Sequence, residues 1–238
     1  MYVILQYLPG WPAGIAKHTI TMKNITKFSW LIVLITCAIV NIAQAQTKAD
    51  VFNPKVPVTW LGMDFSQMRF IGSEAGYKAT GELLNSEFVS KFIPAWANLF
   101  ITEPTTYNVP RASHRDSVHF AFKVTEAVNN AITKNFFTEN PGDFSTLKEK
   151  DIVELVKNYD FQGQKGLGMM MFVEGMNKAT HQAGAWVTFV NMNDKTVLFT
   201  VYKAGNSRGF GFRNYWAHSW YNILKEFASD FDTYKQRL

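Results

Sequence analysis

The sequence predicts an α+β fold in which a mainly antiparallel sheet of about four strands is covered by about four helices, in two layers. Three β-rich runs follow one another near the C-terminus with short links, which is typical of a meander. An amphipathic helical pattern closes the chain, and a second pattern of helical period occupies 81–100. We expect one globular domain over residues 46–238.

Four runs have the composition of β-strands. A mixture of β-branched, aromatic and methionine residues spans 58–72 and predicts a first strand. The C-terminal meander is expected from the runs at 166–175, 184–192 and 196–205. The run at 184–192 is apolar on both faces, which predicts a central strand. Residues 193–195 then have the length of a tight hairpin loop.

Helical periodicity accounts for much of the remaining chain. Apolar residues recur every four positions over 81–100, although Pro94 is expected to kink or break this helix. A second helix is predicted over 113–137, because Ser113 and Asp116 have the spacing of a capping box. The other expected segments are a short extended piece at 107–112, a helix from Thr146 to Tyr159 and a closing helix at about 213–231.

The N-terminal part of the chain has the pattern of a secretory signal peptide. Two lysines follow Met22, an apolar run extends over 28–42, and a small-x-small cleavage pattern ends at Ala45. We therefore expect residues 22–45 to be removed on export and no transmembrane helix in the chain that remains, because a membrane span needs about 20 apolar residues. Residues 1–21 do not fit this pattern. We expect them to be a non-native upstream extension, with a two-part leader as the alternative.

The only cysteine, Cys37, lies inside that apolar run. Cleavage just before it would give an outer-membrane lipoprotein instead, although Thr36 is a poor residue for that cleavage. Without Cys37 the chain has neither a disulfide framework nor a thiol nucleophile. Removing residues 1–45 leaves 21 basic against 19 acidic residues, a net charge of +2 instead of +5, which does not favour nucleic acid as a partner.

The stretch 205–220, GNSRGFGFRNYWAHSW, is the most distinctive of the chain. It joins a predicted strand to a predicted helix, as a phosphate-binding loop does, but its spacing matches neither the Walker A motif nor the dinucleotide fingerprint. We expect a tight turn in which the glycines allow positive φ and Phe210 is buried against the sheet, with an anion site at its arginines as the alternative. The residues of this stretch that are candidates for a ligand pocket are Arg208, Arg213, Asn214 and Tyr215.

Glu174, at the end of the strand at 166–175, is the candidate ligand-binding residue outside that stretch. If the strand is buried, its carboxylate needs a partner such as Arg213 or Lys178, and the alternative is a strand-end residue in solvent. The histidines lack the spacing of a metal site, so we expect no metal and no cofactor. Three consecutive methionines at 169–171 are expected to fill the core rather than to bind copper.

Three segments carry a resemblance that extends over nearly the whole predicted mature chain. They are WLGMDFSQMRFIG at 60–72, FVEGMNKAT followed by AWVTFVNM within 172–192, and RGFGFRNYWA at 208–217. Together with the signal-peptide pattern, they resemble small exported proteins of unknown function from Bacteroidetes-type bacteria. The resemblance implies a periplasmic or surface location. It implies no activity, and no catalytic residue is carried over from it.

Two functional interpretations follow from the sequence. The first is a non-enzymatic, envelope-associated binding or accessory protein, periplasmic or secreted, whose partner is an envelope protein or a small ligand. It rests on the export pattern, the aromatic-rich composition and the lack of an assembled catalytic motif. The alternative is a hydrolase whose acid, base and arginine come from distant segments. Its candidate residues are Glu174, His181, Arg213 and His218, and their convergence in one concave pocket would favour it.

Overall fold

A computed structural model describes residues 46–237 of the chain. The predicted signal peptide, the upstream extension and Cys37 lie outside this range. The strands within it are β1 (Val58–Asp64), β2 (Arg69–Ile71), β3 (His119–Phe120), β4 (Phe137–Thr138), β5 (Leu167–Asn177), β6 (Gln182–Asn191) and β7 (Thr196–Asn206).

The α-helices of the described chain are α1 (Lys48–Val51), α2 (Glu74–Thr80), α3 (Asn85–Glu87), α4 (Ile93–Ala97), α5 (Leu99–Thr102), α6 (Val109–Ala112), α7 (Lys123–Asn130), α8 (Glu149–Lys157) and α9 (Phe212–Lys235). A π-helical turn (Phe88–Phe92) joins α3 to α4, and a 3₁₀ turn (Pro141–Phe144) precedes α8.

All seven strands belong to one sheet with β5 at its centre. β6 runs antiparallel along one edge of β5, and β7 runs antiparallel to β6. β1 and β2 share the other edge of β5, one after the other, and both are parallel to it. β3 and β4 continue the sheet as parallel partners of β1 and β2. The described sheet is therefore mostly parallel and forms a half-barrel, so the prediction of a mainly antiparallel sheet of about four strands is wrong.

Distance along the chain explains this error. β5, β6 and β7 are consecutive and joined by short links, and they pair as the antiparallel meander that their spacing indicates. β1 and β2, in contrast, are separated from β5 by most of the helical part of the chain, as parallel pairing requires. β3 and β4 have two residues each, which is too short for a recognisable alternation of apolar and polar residues.

Side chains of β5 alternate between two apolar cores on opposite faces of the sheet. Met169 and Met171 belong to a core formed with α9 and with the helical segment between α3 and α5. Met170 and Phe172 belong to a second core formed with α7 and α8. Helices therefore cover both faces of the sheet, and the domain has three layers rather than the expected two. The methionines are buried core residues, as predicted.

The first predicted strand, 58–72, is interrupted between β1 and β2. Asn129 of α7 satisfies the backbone at this point: its side-chain carbonyl accepts a 2.9 Å hydrogen bond from the amide of Phe65, and its amide donates one of 2.8 Å to the carbonyl of Met63. A helix side chain thus replaces the pairing that a neighbouring strand would supply, and the chain can leave the sheet without an unpaired buried amide.

The predicted helix at 113–137 is wrong over most of its length. That segment contains β3, α7 and β4. Ser113 does not cap the start of a helix but follows the end of α6, and its hydroxyl donates a 2.9 Å hydrogen bond to the carbonyl of Val109. Serine hydroxyls bond nearby backbone groups in several local arrangements, so the capping-box spacing alone is not decisive.

Two prolines occupy helix starts rather than helix breaks. Pro110 lies in the first turn of α6, where the segment 107–112 was expected to be extended. Pro94 lies in the first turn of α4, directly after the π-helical turn, and the helical path continues through it. For Pro110 the missing N–H costs little, because amides of a first helical turn have no partner within the helix.

α9 confirms the predicted closing helix and is the longest helix in the described chain. Its buried stripe includes Trp216, Trp220 and Phe227, which pack in the core beside β6 and β7. The opposite side of α9 carries polar residues and faces a groove. No helix among residues 46–237 combines the length and the apolarity that crossing a membrane requires.

Candidate functional site

A groove of about 480 Å³ runs along the outer side of α9. Its other wall is the segment 105–114, which contains α6. We call it the α9 groove. Its lining residues are Thr105, Thr106, Asn108, Arg111, Ala112, His114, Tyr221, Leu224, Lys225, Ala228 and Ser229. Tyr221, Lys225 and Ser229 are four residues apart, so they form one stripe of the helix along the groove.

Buried Arg115 anchors the wall that faces α9. Its guanidinium donates hydrogen bonds to the backbone carbonyls of Val56 at 2.8 Å, Ser113 at 2.7 Å and Val51 at 3.0 Å. Burial lowers the pKa of Arg115, but a guanidinium remains charged in proteins. These bonds tie the end of α6 to the start of the domain and so place Arg111 at the groove.

The α9 groove has a positive lining. Arg111 and Lys225 are exposed, and neither has an ion pair with any carboxylate of residues 46–237. No aspartate or glutamate is among the lining residues of the described groove. The imidazole of His114 stacks on Phe231 with ring centroids 4.2 Å apart, and its Nδ1 lies 4.0 Å from the carboxylate of Asp232 outside the groove. The cations inside the groove therefore face solvent without a counter-charge.

A second depression of about 450 Å³ adjoins the first at the N-terminal end of α9. We call it the glycine-loop groove. Its lining residues are Glu103, Thr106, Tyr107, Arg208, Gly209, Arg213, Asn214, Ala217, His218 and Tyr221. Thr106 and Tyr221 line both depressions, which therefore adjoin each other along one side of α9.

The charges of the glycine-loop groove are partly neutralised. The guanidinium of Arg213 is 2.9 Å from the carboxylate of Glu103 and donates a 2.8 Å hydrogen bond to the side-chain oxygen of Asn214. Burial, with a smaller effect of Glu103, raises the pKa of Tyr107 to about 12, so its hydroxyl stays neutral. Arg208 is exposed and has no ion pair within the described chain, which leaves it as the free cation of this groove.

Three of the five predicted ligand-binding residues, Arg208, Arg213 and Asn214, line the glycine-loop groove. Tyr215 does not. Its hydroxyl makes a short hydrogen bond to Nδ1 of His181, and its ring lines a separate depression beside Phe210. Three of the polar residues singled out in the stretch 205–220 therefore lie in the glycine-loop groove.

The glycine loop has the positive φ values that the sequence predicts at two of its glycines, but the aromatic residue at its tip is not buried as predicted. Gly209 and Gly211 have φ values of 120° and 77°, which is the positive range that glycine was expected to supply. Gly205 was expected to contribute to the same turn, but it is a residue of β7 without a positive φ. Phe212 packs against Phe92 with ring centroids 4.5 Å apart. Phe210 was expected to be buried, but it is 95% exposed at the tip of the loop. With glycines on both sides, its backbone projects away from the sheet.

Glu174 is buried, with 1% of its surface exposed, and its partners differ from those expected. Its Oε1 accepts hydrogen bonds from the backbone amides of Thr146 and Leu147, and its Oε2 accepts one of 3.0 Å from the indole nitrogen of Trp186. These partners border the second core, on the face of the sheet away from α9. Glu174 therefore attaches the segment before α8 to the sheet, and it contacts neither Arg213 nor Lys178.

The four hydrolase candidates do not meet in one pocket. Arg213 and His218 line the glycine-loop groove, where Nδ1 of His218 is 3.0 Å from the carbonyl oxygen of Asn206. His181 is bonded to Tyr215, and Glu174 lies on the other face of the sheet. Thus the geometry places an arginine and a histidine in one groove, and the carboxylate of the described lining, that of Glu103, is already paired with Arg213.

A buried polar cluster surrounds Asp64 at the end of β1, away from both grooves. Asp64 is 1% exposed, and its Oδ1 accepts a 2.7 Å hydrogen bond from the amide of Ser66. The hydroxyl of Tyr159 lies near it without a well-aligned hydrogen bond. Burial raises the pKa of both Asp64 and Tyr159, and burial with the nearby charge of Arg69 lowers the pKa of Lys134 to about 8. Among residues 46–237, no group of histidine, cysteine or acidic residues has the arrangement of a metal site.

Sequence reasoning missed Arg111 and Lys225, the two cations of the α9 groove that have no carboxylate partner among residues 46–237. The spacing of Asn214, Tyr221, Lys225 and Ser229 on the polar side of α9 is a signal that could have found one wall. The opposite wall could not be found in this way, because 107–112 was predicted to be extended, and the contact between distant segments leaves no local pattern.

Comparisons with protein-family models, with curated proteins and with solved structures gave no significant match to this chain.

Proposed function

We propose that this chain is a non-enzymatic binding protein that takes an anionic ligand in the α9 groove. One observation carries the proposal: Arg111 and Lys225 face the same concave surface, and the described chain offers neither of them a carboxylate partner. The hydroxyl groups of Thr105, Thr106 and Ser229 and the side-chain amide of Asn108 border the same space. A phosphate or carboxylate bound there would accept charge-assisted hydrogen bonds from both cations.

Support for binding rather than catalysis comes from the same lining. Acid–base hydrolysis needs a proton donor and acceptor within hydrogen-bond reach of the substrate. The described lining of the α9 groove contributes no carboxylate, and Nε2 of His114 is 3.2 Å from the carbonyl oxygen of Ala228. The carboxylate proposed for a hydrolase, that of Glu174, already accepts three hydrogen bonds on the opposite face.

The experiment is a thermal unfolding series with inorganic phosphate at fixed ionic strength. A ligand at ten times its Kd stabilises the folded state by about 1.4 kcal/mol, which raises Tm by about 3–5 °C for a domain of this size. We expect this rise for the wild type and for the control variant Lys150→Ala/Lys165→Ala, which removes two exposed cations outside both grooves.

The variant Arg111→Ala/Lys225→Ala should lose the phosphate effect while its Tm without phosphate stays close to that of the wild type, because both side chains are exposed. An equal phosphate effect in this variant would show that the anion binds elsewhere. The absence of any effect in the wild type would contradict the proposed function.

We also propose that the protein is exported and acts at the cell envelope, on the basis of the signal-peptide pattern at residues 22–45. Intact-mass measurement of the protein recovered from its native cells should give a chain that begins at Gln46 or within a few residues of it. A diacylated N-terminus at Cys37 would overturn the soluble form and support the lipoprotein alternative. A mass that includes Met22 would contradict cleavage altogether.

A further inference from the structure

We propose that the anionic ligand is an acidic polysaccharide segment that lies along α9, with one of its sugar rings stacked on Tyr221. This inference rests on the proposed function, because it concerns the same surface. It adds the length, the chemical class and the central contact of the ligand.

The length follows from the position of the two adjoining grooves along α9. Thr106 and Tyr221 line both of them, and the helix residues that face them extend from Asn214 to Ser229. At 1.5 Å per residue this stripe is about 22 Å long, far longer than one phosphate or one carboxylate. A single small anion would occupy only one end of it.

Charge is placed at both ends of this stripe rather than at one point. Arg208 lies at the glycine-loop end, and Arg111 and Lys225 lie in the α9 groove. None of the three has an ion pair within residues 46–237. Such separated cations match a chain that carries repeated negative groups, because each group can meet a different side chain.

Tyr221 occupies the middle of the stripe, between these cations. Its half-buried ring lies 5.8 Å from the ring of His218, centroid to centroid, and Nζ of Lys225 lies over the ring at 5.9 Å from its centroid. An aromatic ring offers a flat apolar surface with a polar tip, which suits the apolar face of a sugar ring. Hydroxyl and amide side chains on both sides, from Thr105, Asn214 and Ser229, can bond sugar hydroxyls.

The same residues favour a polysaccharide over a single-stranded nucleic acid. Nucleic-acid strands are bound by several aromatic rings that stack on successive bases, together with a dense line of cations. The other tyrosine of the described lining, Tyr107, is buried and cannot stack on a ligand. Polyphosphate would use the cations but would leave the ring of Tyr221 without a partner.

Titration calorimetry with galacturonate, trigalacturonate and hexagalacturonate tests the proposal, with maltohexaose as the neutral control of equal length. We expect affinity to increase by at least about tenfold from one sugar to six, and no binding of maltohexaose. Arg208→Ala should weaken the binding of hexagalacturonate by about tenfold and leave the affinity for galacturonate unchanged, because only the longer chain reaches both grooves. Tyr221→Ala should strongly weaken the binding of hexagalacturonate. Tyr221→Phe keeps the ring and should bind hexagalacturonate nearly as well as the wild type.

Several results would overturn the polysaccharide while leaving the proposed function intact. These are equal affinity for galacturonate and hexagalacturonate, tighter binding of an oligothymidylate of similar length, or no binding of any sugar while the phosphate effect on Tm persists. If neither sugars nor phosphate bind, the proposed function fails as well. Arg208 is exposed, so its variant tests the length argument even if Tyr221→Ala does not fold.

Discussion

Gly205 of β7 lies directly against Ser219 of α9, so closely that a Cβ atom on Gly205 would be 2.2 Å from the carbonyl oxygen of Ser219. Real Cβ atoms do not approach a backbone oxygen to that distance. The last strand and the closing helix are therefore packed backbone to backbone at this point. Gly211, in contrast, has open space around it and is constrained only by its φ of 77°.

This difference predicts unequal costs for two glycine substitutions. Gly205→Ala should destabilise the domain by about 1–3 kcal/mol, because the helix must move away from the strand. Gly211→Ala should cost only about 1 kcal/mol, from backbone strain at positive φ. Urea unfolding measures both values, and equal stability of the wild type and Gly205→Ala would contradict the close approach.

Trp220 should be a costly aromatic residue to truncate on α9. It is fully buried, with its ring 5.9 Å from those of Trp96 and Phe65. Trp220→Ala should lower the free energy of unfolding by about 3–5 kcal/mol, a large share of a typical domain stability. Phe210→Ala is the matched control, because that ring is 95% exposed, and it should change stability by less than about 0.5 kcal/mol. Similar effects of both changes in urea unfolding would contradict the assignment of the core.

Asp64→Asn should stabilise the protein at neutral pH. Burial raises the pKa of Asp64 in the folded state above its unfolded value, so ionisation of this group opposes folding once the pH exceeds the unfolded pKa. Well below the unfolded pKa of 3.8 both states carry the protonated acid, and the variant should have no advantage there. Tm measured from pH 3.5 to 7 should show a gain for Asp64→Asn that grows with pH. A loss of stability at pH 7 would show that the charged form of Asp64 is favoured by its neighbours.

Glu174→Gln should destabilise the attachment of the segment before α8. Glutamine keeps one acceptor but presents an NH₂ group to a donor, so at least one buried N–H loses its partner, which costs about 1–3 kcal/mol. Glu154→Gln, on the exposed side of α8, changes the same charge and should cost less than about 1 kcal/mol. Equal unfolding free energies for the two variants would mean that Glu174 does not have this role.

Local patterns predicted the elements that pair with their neighbours in sequence. The strands β5 to β7 and the helix α9 were recognisable because alternation, short links and an apolar stripe are all properties of adjacent residues. The parallel half of the sheet could not be predicted in this way, because β1 and β2 meet β5 only after a long excursion of the chain. Parallel pairing depends on that tertiary path and not on any pattern within β1.

The candidate site shows the same limit. Arg208, Arg213 and Asn214 line one groove, and they were predicted together because they are close in a glycine-rich stretch. Arg111 was not singled out, because its place in the groove depends on α6 facing α9. Glu174 was assigned the wrong partners because two of its three donors precede it by almost thirty positions. The sequence shows the chemistry of each side chain, but it does not show which side chains are in contact in the folded domain.

The most direct test of the α9 groove is an NMR titration of the ¹⁵N-labelled protein with inorganic phosphate at fixed ionic strength. Saturable changes in amide chemical shifts are expected within residues 105–114 and 221–229, and they should disappear in Arg111→Ala/Lys225→Ala. Shifts that cluster instead around Asp64 or Glu174, or no saturable shifts at all, would contradict the assignment of this groove as the binding site.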